Sequence, residues 1–431
     1  MDKPSADIIV KNCSELLTMA GGGGKPKKGT MLNNVGMIRR GAVGISDGVI
    51  TWVGREDDIG SSVKKSRRTR VVDAEGGVVM PGFVDPHTHI VFAGSRENEW
   101  LDRLAGKSYL SILKAGGGII STVKATRKAK KQDLIRKGLG YLRMMLDFGT
   151  TTIEAKSGYG LTLKDEIKIL ECIKELNSIQ PVDVVPTFLG AHALPPEFER
   201  KEDYVKLVAD TMVPEIARRG LASYCDVFCE RGAFSAAEAK RILEAGVAHG
   251  LKPKIHTNQF NDIGGTEVAA KIHPESIDHL DVISKKCLDD VATAGSVAVL
   301  LPGAAFFLDG GIYPDAKAMI AAGVPLALGT DFNPGTSFCY SMQFILSLAC
   351  IKLGLSVEQA LNCATINAAH AIGMGGVVGS LDVGKQADII IMDLGSYKLI
   401  PYSIAGNNVN TVIKKGFIHK VKDPHKADWT E

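Results

Sequence analysis

The residues of this sequence that most readily do chemistry are histidines. In Pro81-Gly82-Phe83-Val84-Asp85-Pro86-His87-Thr88-His89 an apolar strand-like run passes straight into His-x-His. Alternate residues of a strand point to one side, so His87 and His89 can offer two imidazoles to one metal ion. Read alone, the pair serves equally well as surface histidines beside a turn. Three later segments shift the balance: Lys254-Ile255-His256, Ile277-Asp278-His279 and Leu328-Gly329-Thr330-Asp331 each close another apolar run of strand length. A single histidine at a strand end is ordinarily a satisfied core or loop residue, but recurrence at strand after strand is hard to assign to chance. We expect His87, His89, His256 and Asp331 to bind one divalent ion. Imidazole and carboxylate donors suit zinc, iron or another first-row ion, and no thiolate is placed to bias the choice. An ion with one open position lowers the pKa of a water towards ~7, which makes a strong nucleophile available at neutral pH.

Such a site needs strands that all end on one side. From about Pro81 to about Gly379 strand-like runs alternate with helix-length amphipathic stretches. The strand candidates are residues 82–84, 151–154, 183–188, 223–228, 254–256, 276–279, 297–301 and 326–330; helical patterns include 163–176, 204–219, 235–246 and 357–369. Long crossovers between strands require a parallel sheet, and eight strand candidates suggest a closed barrel with its active face at the C-terminal strand ends. The first eighty residues are β-rich, with candidates at 6–10, 42–46, 49–53, 70–72 and 78–80 and a hairpin signal at Asp47-Gly48. After Gly384-Lys385-Gln386-Ala387-Asp388 the β-texture returns at 389–392, 411–414 and 417–421. The expected fold is therefore α/β: a (β/α)8 TIM-like barrel over 81–379, inserted in a small β-sandwich domain built from 1–80 plus 380–431. The run from Gly21 to Gly24 with Lys25-Pro26-Lys27-Lys28 reads as a flexible, solvated loop, since a phosphate cradle would continue into Gly-Lys-Ser/Thr.

Composition excludes other classes. A net charge of +3 is too small to imply nucleic acid, which needs a concentrated basic face. The basic runs Lys64–Arg68 and Lys124–Lys131 read as solvated loop or helix faces. There is no secretory-type leader and no apolar run of the ~20 residues a membrane span requires, so a cytoplasmic protein without membrane contact is expected. Eight scattered cysteines without a CxxC pair read as reduced core thiols. Cys225 and Cys229 would share a strand face and serve packing.

Together, the His-x-His motif, the later strand-end histidines, the strand-eight aspartate and the Gly384–Asp388 return resemble the amidohydrolase superfamily over almost the whole chain. The longer runs Phe92–Arg96, Glu154–Gly160, Phe188–His192 and Thr330–Thr336 are similar to one branch of it. That branch works in histidine breakdown and hydrolyses 4-imidazolone-5-propanoate to N-formimidoyl-L-glutamate. The resemblance implies that His87, His89, His256 and Asp331 hold one zinc or iron ion per chain. It implies that Arg96, Tyr159, His192 and Thr336 hold the substrate, that Asn333 and Gly335 contact the product, and that Tyr109 is a further contact. It also implies a homodimer. Arg96 offers a two-pronged fork to a propionate carboxylate. Gln259 stands where some relatives carry Glu and others Gln; it can hydrogen-bond a substrate but cannot take its proton. In the mechanism that follows, His279 stabilises the developing oxyanion while Asp331 moves the proton.

Three rival readings remain open at this point. One is a two-metal, dihydropyrimidinase-like enzyme with Lys156 as a carboxylated bridge. Another is a guanine- or cytosine-type deaminase, with a similar ligand set. The third is a catalytically silent scaffold barrel, whose signature would be a missing ligand; none is missing.

Overall fold

A computed structural model of the chain describes residues 3–107, 117–308, 311–404 and 406–421. Its centre is eight parallel strands: Phe83–Asp85, Thr150–Lys156, Asp183–Ala191, Tyr224–Cys229, Ile255–Thr257, Ser276–His279, Val297–Leu300 and Leu326–Leu328. They are hydrogen-bonded in that order, with the short strand Lys252–Pro253 beside the fourth. The ring closes through a parallel bridge between Thr88 and Phe332, where His89 N–H donates to Phe332 O at 2.9 Å. Strand two is buried along its whole length, as expected when side chains fill the barrel on one face and helices cover the other.

The helices obey local rules. Leu163–Ile179 starts where Thr162 caps the Asp165 amide, and Ala236–Ala248 starts with a reciprocal Ser235/Glu238 capping box. The stretch expected as one helix over 204–219 is instead Lys201–Leu207, a π turn at Val208–Met212 and Val213–Arg218. Pro214 has no N–H to give the preceding turn, which widens there. The expected helix 357–369 is broken into Val357–Cys363 and Ile366–Ala371. At the break Thr365 Oγ1 donates to Leu361 O at 2.6 Å, and Ala364 O accepts the Val84 N–H of strand one at 3.0 Å.

Two further sheets flank the barrel. One has the order Val49–Arg55, Gly41–Ser46, Ser5–Lys11, Lys64–Asp73. The other runs Phe417–Val421, Val409–Lys414, Ile389–Met392, Val78–Pro81, Glu15–Leu17, Met37–Arg39, so strands from both ends of the chain pair in it. The two sheets share a core that includes Val10, Leu16, Val43, Ile45, Ile389 and Ile413. Asp47 (φ 50°) and Gly48 (φ 76°) make the expected tight hairpin.

Two surface expectations need correction. Lys64–Arg68 is an edge strand rather than a loop or helix face: the backbone pairs with Ser5–Lys11 while the basic side chains stay in water, a usual protection for a sheet edge. Lys27 is buried, not solvated. Its N–H donates to Asn367 Oδ1 at 2.7 Å, its carbonyl accepts from Asn367 Nδ2 at 2.8 Å, and Nζ donates to Asn34 O at 2.6 Å. Asn367 Nδ2 also donates to Leu326 O, at the start of strand eight. The Gly21–Lys28 loop thus ends beneath the barrel, opposite the histidines. All eight cysteines are free; Cys225 packs on Gly246 and Cys229 on Gly265. Among the described residues no helix is long and apolar enough to cross a membrane.

Candidate active site

At the C-terminal strand ends the histidines converge. The ring nitrogens of His87, His89 and His256 lie within 4.8 Å of one another, and the His87 and His256 ring centres are 4.4 Å apart. Asp331 Oδ1 is 3.5 Å from His87 Nε2 and 3.7 Å from His89 Nε2. Asp278 Oδ2, 2.7 Å from His87 Nδ1, fixes the proton on that nitrogen and leaves Nε2 a free lone pair. His87 Nε2 and His256 Nε2 are buried without a hydrogen-bond partner, an unfavourable arrangement unless something else fills the lone pairs. Burial is the main force pushing all three imidazoles well below their ordinary pKa, with Lys156 adding to it. They are neutral, as metal ligands must be. Three neutral nitrogens and a carboxylate fit a divalent first-row ion.

Asp331 follows strand eight in a left-handed conformation, φ 52°, which turns its side chain towards the ring. Burial pushes its carboxyl up to about 8. Asp85, in the same motif as His87, accepts from Thr330 N–H at 3.0 Å and Thr330 Oγ1 at 2.5 Å, tying strand one to strand eight.

Below the imidazoles lies a charge network that the sequence reading did not identify. Lys156 Nζ donates to Glu154 at 2.9 Å and Asp226 at 2.8 Å and lies 3.4 Å from Asp278. Lys254 Nζ is 3.0 Å from Glu154, and His256 Nδ1 is 2.9 Å from Asp226 Oδ2. Burial opposes the charge on Lys156, yet Asp226, Glu154 and Asp278 outweigh it and hold the pKa above the ordinary lysine value. Lys156 is thereby the hub of this network, with three carboxylates around its ammonium group. The available signal was a carboxylate inside an apolar strand, in Tyr224-Cys225-Asp226-Val227 and Ser276-Ile277-Asp278.

The resemblance-derived pocket residues gather around this centre. His192 stacks on His89 with ring centres 5.1 Å apart, and the buried Tyr159 ring is 5.4 Å from His192 and 5.7 Å from His89. Gly158 (φ 107°) has to be glycine, since a Cβ there would come within 2.8 Å of His192 Nδ1. Arg96 Nε donates to Glu99 Oε2 at 2.8 Å. Its guanidinium lies on Gly335, where a Cβ would meet Nη1 at 1.9 Å. Asn333 uses its side chain to shape the loop: Oδ1 accepts from Gly335 N–H and Thr336 N–H, each at 2.8 Å, and Nδ2 donates to Asp331 O at 2.7 Å. Thr336 Oγ1 lies 3.4 Å from Asp331 Oδ2. Gln259 is buried, three residues past His256. Tyr109 lies outside the described residues.

His279 closes the ring, 5.5 Å from His87 and 5.4 Å from His256 between ring centres. Burial pushes its pKa down to about 4, so it is a neutral imidazole. Asp281, two residues on, is a buried acidic residue that the sequence reading missed. A cavity of about 560 Å³ lined by Val184, Tyr224, Lys252 and Gly373 opens near the starts of strands three and four. None of the histidines lines it, so the chemistry is at the other mouth.

Residues 78–418 match the Amidohydrolase family. The chain is 47% identical to imidazolonepropionase of Shouchella clausii over 95% of its length and 92% of that protein. It is also 47% identical to imidazolonepropionase of Geobacillus kaustophilus, over 95% of its length and 97% of the relative. Among solved structures, an adenosine deaminase from Xanthomonas campestris with bound zinc superposes with a TM-score of 0.73 at 17% identity, covering 97% of this chain and 94% of that one. E. coli guanine deaminase superposes with a TM-score of 0.72 at 16% identity, covering 96% and 99%; at such identities the likeness is one of fold. With the family matched across most of the chain and the imidazolonepropionases nearly half identical over 95% of it, this chain belongs to the amidohydrolase family, in its imidazolonepropionase branch.

Proposed function

We propose that this chain hydrolyses the ring amide of 4-imidazolone-5-propanoate to N-formimidoyl-L-glutamate. The observation that carries this reading is 47% identity to imidazolonepropionases over 95% of the chain. In the proposed site His87, His89, His256 and Asp331 hold one zinc or iron ion. Such an ion, when bound, acts as a Lewis acid on the ring carbonyl and lowers the pKa of water.

The chain's own groups do the rest. Arg96 keeps Nε on Glu99 and turns its terminal nitrogens to the propionate carboxylate. Tyr159 and His192 orient the ring from the His89 side, Gln259 hydrogen-bonds it, and the Asn333–Thr336 loop closes the opposite wall and contacts the product. Asp331 Oδ2 takes the proton of the attacking water and hands it to the leaving ring nitrogen. His279, neutral, donates a hydrogen bond to the oxyanion as it develops. We further propose that the enzyme is a cytoplasmic homodimer, a point that sedimentation velocity checks for the assembly.

The test is to incubate metal-quantified protein with fresh imidazolonepropionate and follow substrate absorbance against a chelator-treated control. Metal-dependent loss with formimidoylglutamate appearing is expected. Metal-loaded protein that leaves the substrate untouched would sink the assignment, and cyclic amides and aminopurines would then be assayed.

A further inference from the structure

Asp281 is a carboxyl group at the active mouth without an assigned task, and burial pushes its pKa well above the ordinary value. It is 7% exposed, and its Oδ1 has no hydrogen-bond partner. Facing it is a second orphan: His279 Nδ1 is also buried without a partner, and it lies 3.9 Å from Asp281 Oδ2. Two buried polar groups with complementary roles, each lacking a partner, are separated by about one ångström more than a hydrogen bond, a gap that a small side-chain rotation spans.

The backbone is built to bring them together. His279 (φ 81°) and Leu280 (φ 59°) are consecutive non-glycine residues in the left-handed region, a costly arrangement that persists only when the surroundings impose it. Strand five imposes it here: Leu280 N–H donates to Thr257 O at 3.2 Å and Val282 N–H to Asn258 O at 2.8 Å. Asn258 Nδ2 also donates to Val282 O at 3.0 Å. Asp281 is thus held on both sides by main-chain bonds while its side chain turns back to the imidazole.

We propose that Asp281 is the positioning residue of His279. Its carboxyl group donates to Nδ1 and leaves the ring proton on Nε2, so that one tautomer and one ring orientation, able to donate to the oxyanion, face the reacting carbonyl. A hydrogen bond to one imidazole nitrogen fixes which nitrogen carries the proton. Because His279 acts in the reaction proposed above, the kinetic side of this inference rests on that reading, while its structural side does not.

The experiment uses the full, metal-loaded chain with 15N-labelled histidine. The His279 ring signals, assigned by their loss in His279→Asn, should report a proton on Nε2 in the unaltered protein, a tautomer change in Asp281→Ala, and restoration in Asp281→Glu. Ring signals that do not move in Asp281→Ala overturn the pairing, whatever the substrate is. On imidazolonepropionate, Asp281→Ala should lower kcat by about 10²-fold with KM and metal content unchanged. Combined with His279→Asn it should add little, because residues that work as a unit are not additive. A rise in KM at constant kcat would overturn the proposal in favour of direct substrate contact, and independent, multiplicative losses would overturn it too. An unaltered chain that ignores this substrate counts against the proposed function alone, and the nitrogen spectrum then decides the pair.

Discussion

Two buried ion networks sit at different places in this molecule, and they are finished differently. Where the barrel meets the terminal strands, Lys414 Nζ donates to Asp183 at 2.7 Å and Asp388 at 2.6 Å. Lys415 Nζ and Gln386 Nε2 also donate to Asp183, at 2.6 and 2.8 Å, and the Lys415 N–H takes the remaining Asp388 oxygen at 3.1 Å. Every carboxylate oxygen there has a donor. Beneath the histidines, Lys156 and Lys254 face Glu154, Asp226 and Asp278, yet His87 Nε2 and His256 Nε2 are left without hydrogen bonds. A closed network joins pieces of chain, whereas an open one directs its unused valences at something else.

The contrast yields graded expectations. Asp331→Asn, at the open end, should lower turnover on the order of 10³-fold in a folded protein, read by steady-state kinetics alongside a thermal melt. Lys414→Met should do the reverse: removing one partner of a buried pair costs about 3–5 kcal/mol of stability, seen in denaturant titration, while the remaining folded enzyme keeps its kcat. Asp278→Asn should separate the two kinds of effect again, weakening metal affinity or activity by about 10–100-fold through His87. Chelator competition measures it, and metal retention equal to the parent chain would show that the network is only structural.

The smallest effect concerns acid. Burial pushes the Asp183 carboxyl up, but Lys414 and its hydrogen bonds outweigh that and hold it below its usual 3.8. A folded pKa below the unfolded one contributes stability that is fully present above the unfolded value and is lost as pH falls through the folded one. Asp183→Asn should therefore flatten the loss of stability below pH 3.8 and leave the pH dependence of turnover near neutrality unchanged. An unaltered acid limb would show that the junction is not what titrates.

Much of this was legible in the sequence because it is local. The barrel strands are apolar, β-branched runs between long crossovers, and the histidines and Asp331 stand where those runs end. Glu15–Leu17 and Met37–Arg39 were missed because three residues carry no readable periodicity. The charge network was missed because its bonds join distant positions: His87 to Asp278 spans 191 residues and Lys156 to Asp226 spans 70. The break at Ala364 was invisible for the same reason, since what ends the helix is a carbonyl captured by Val84. Asp281 was passed over because two left-handed residues decide where it points, and neither is a glycine to announce the turn.

The seam between the first and last barrel strands has a consequence for how the protein is made. The Asp85–Thr330 contact joins residues 245 positions apart, so the two histidines that leave the ribosome early wait for their aspartate until most of the chain has followed. Contacts of such long range close late and slowly. A nascent or truncated chain that has reached only the seventh strand carries imidazoles but no complete cage, so the ability to hold a metal tightly marks a finished molecule.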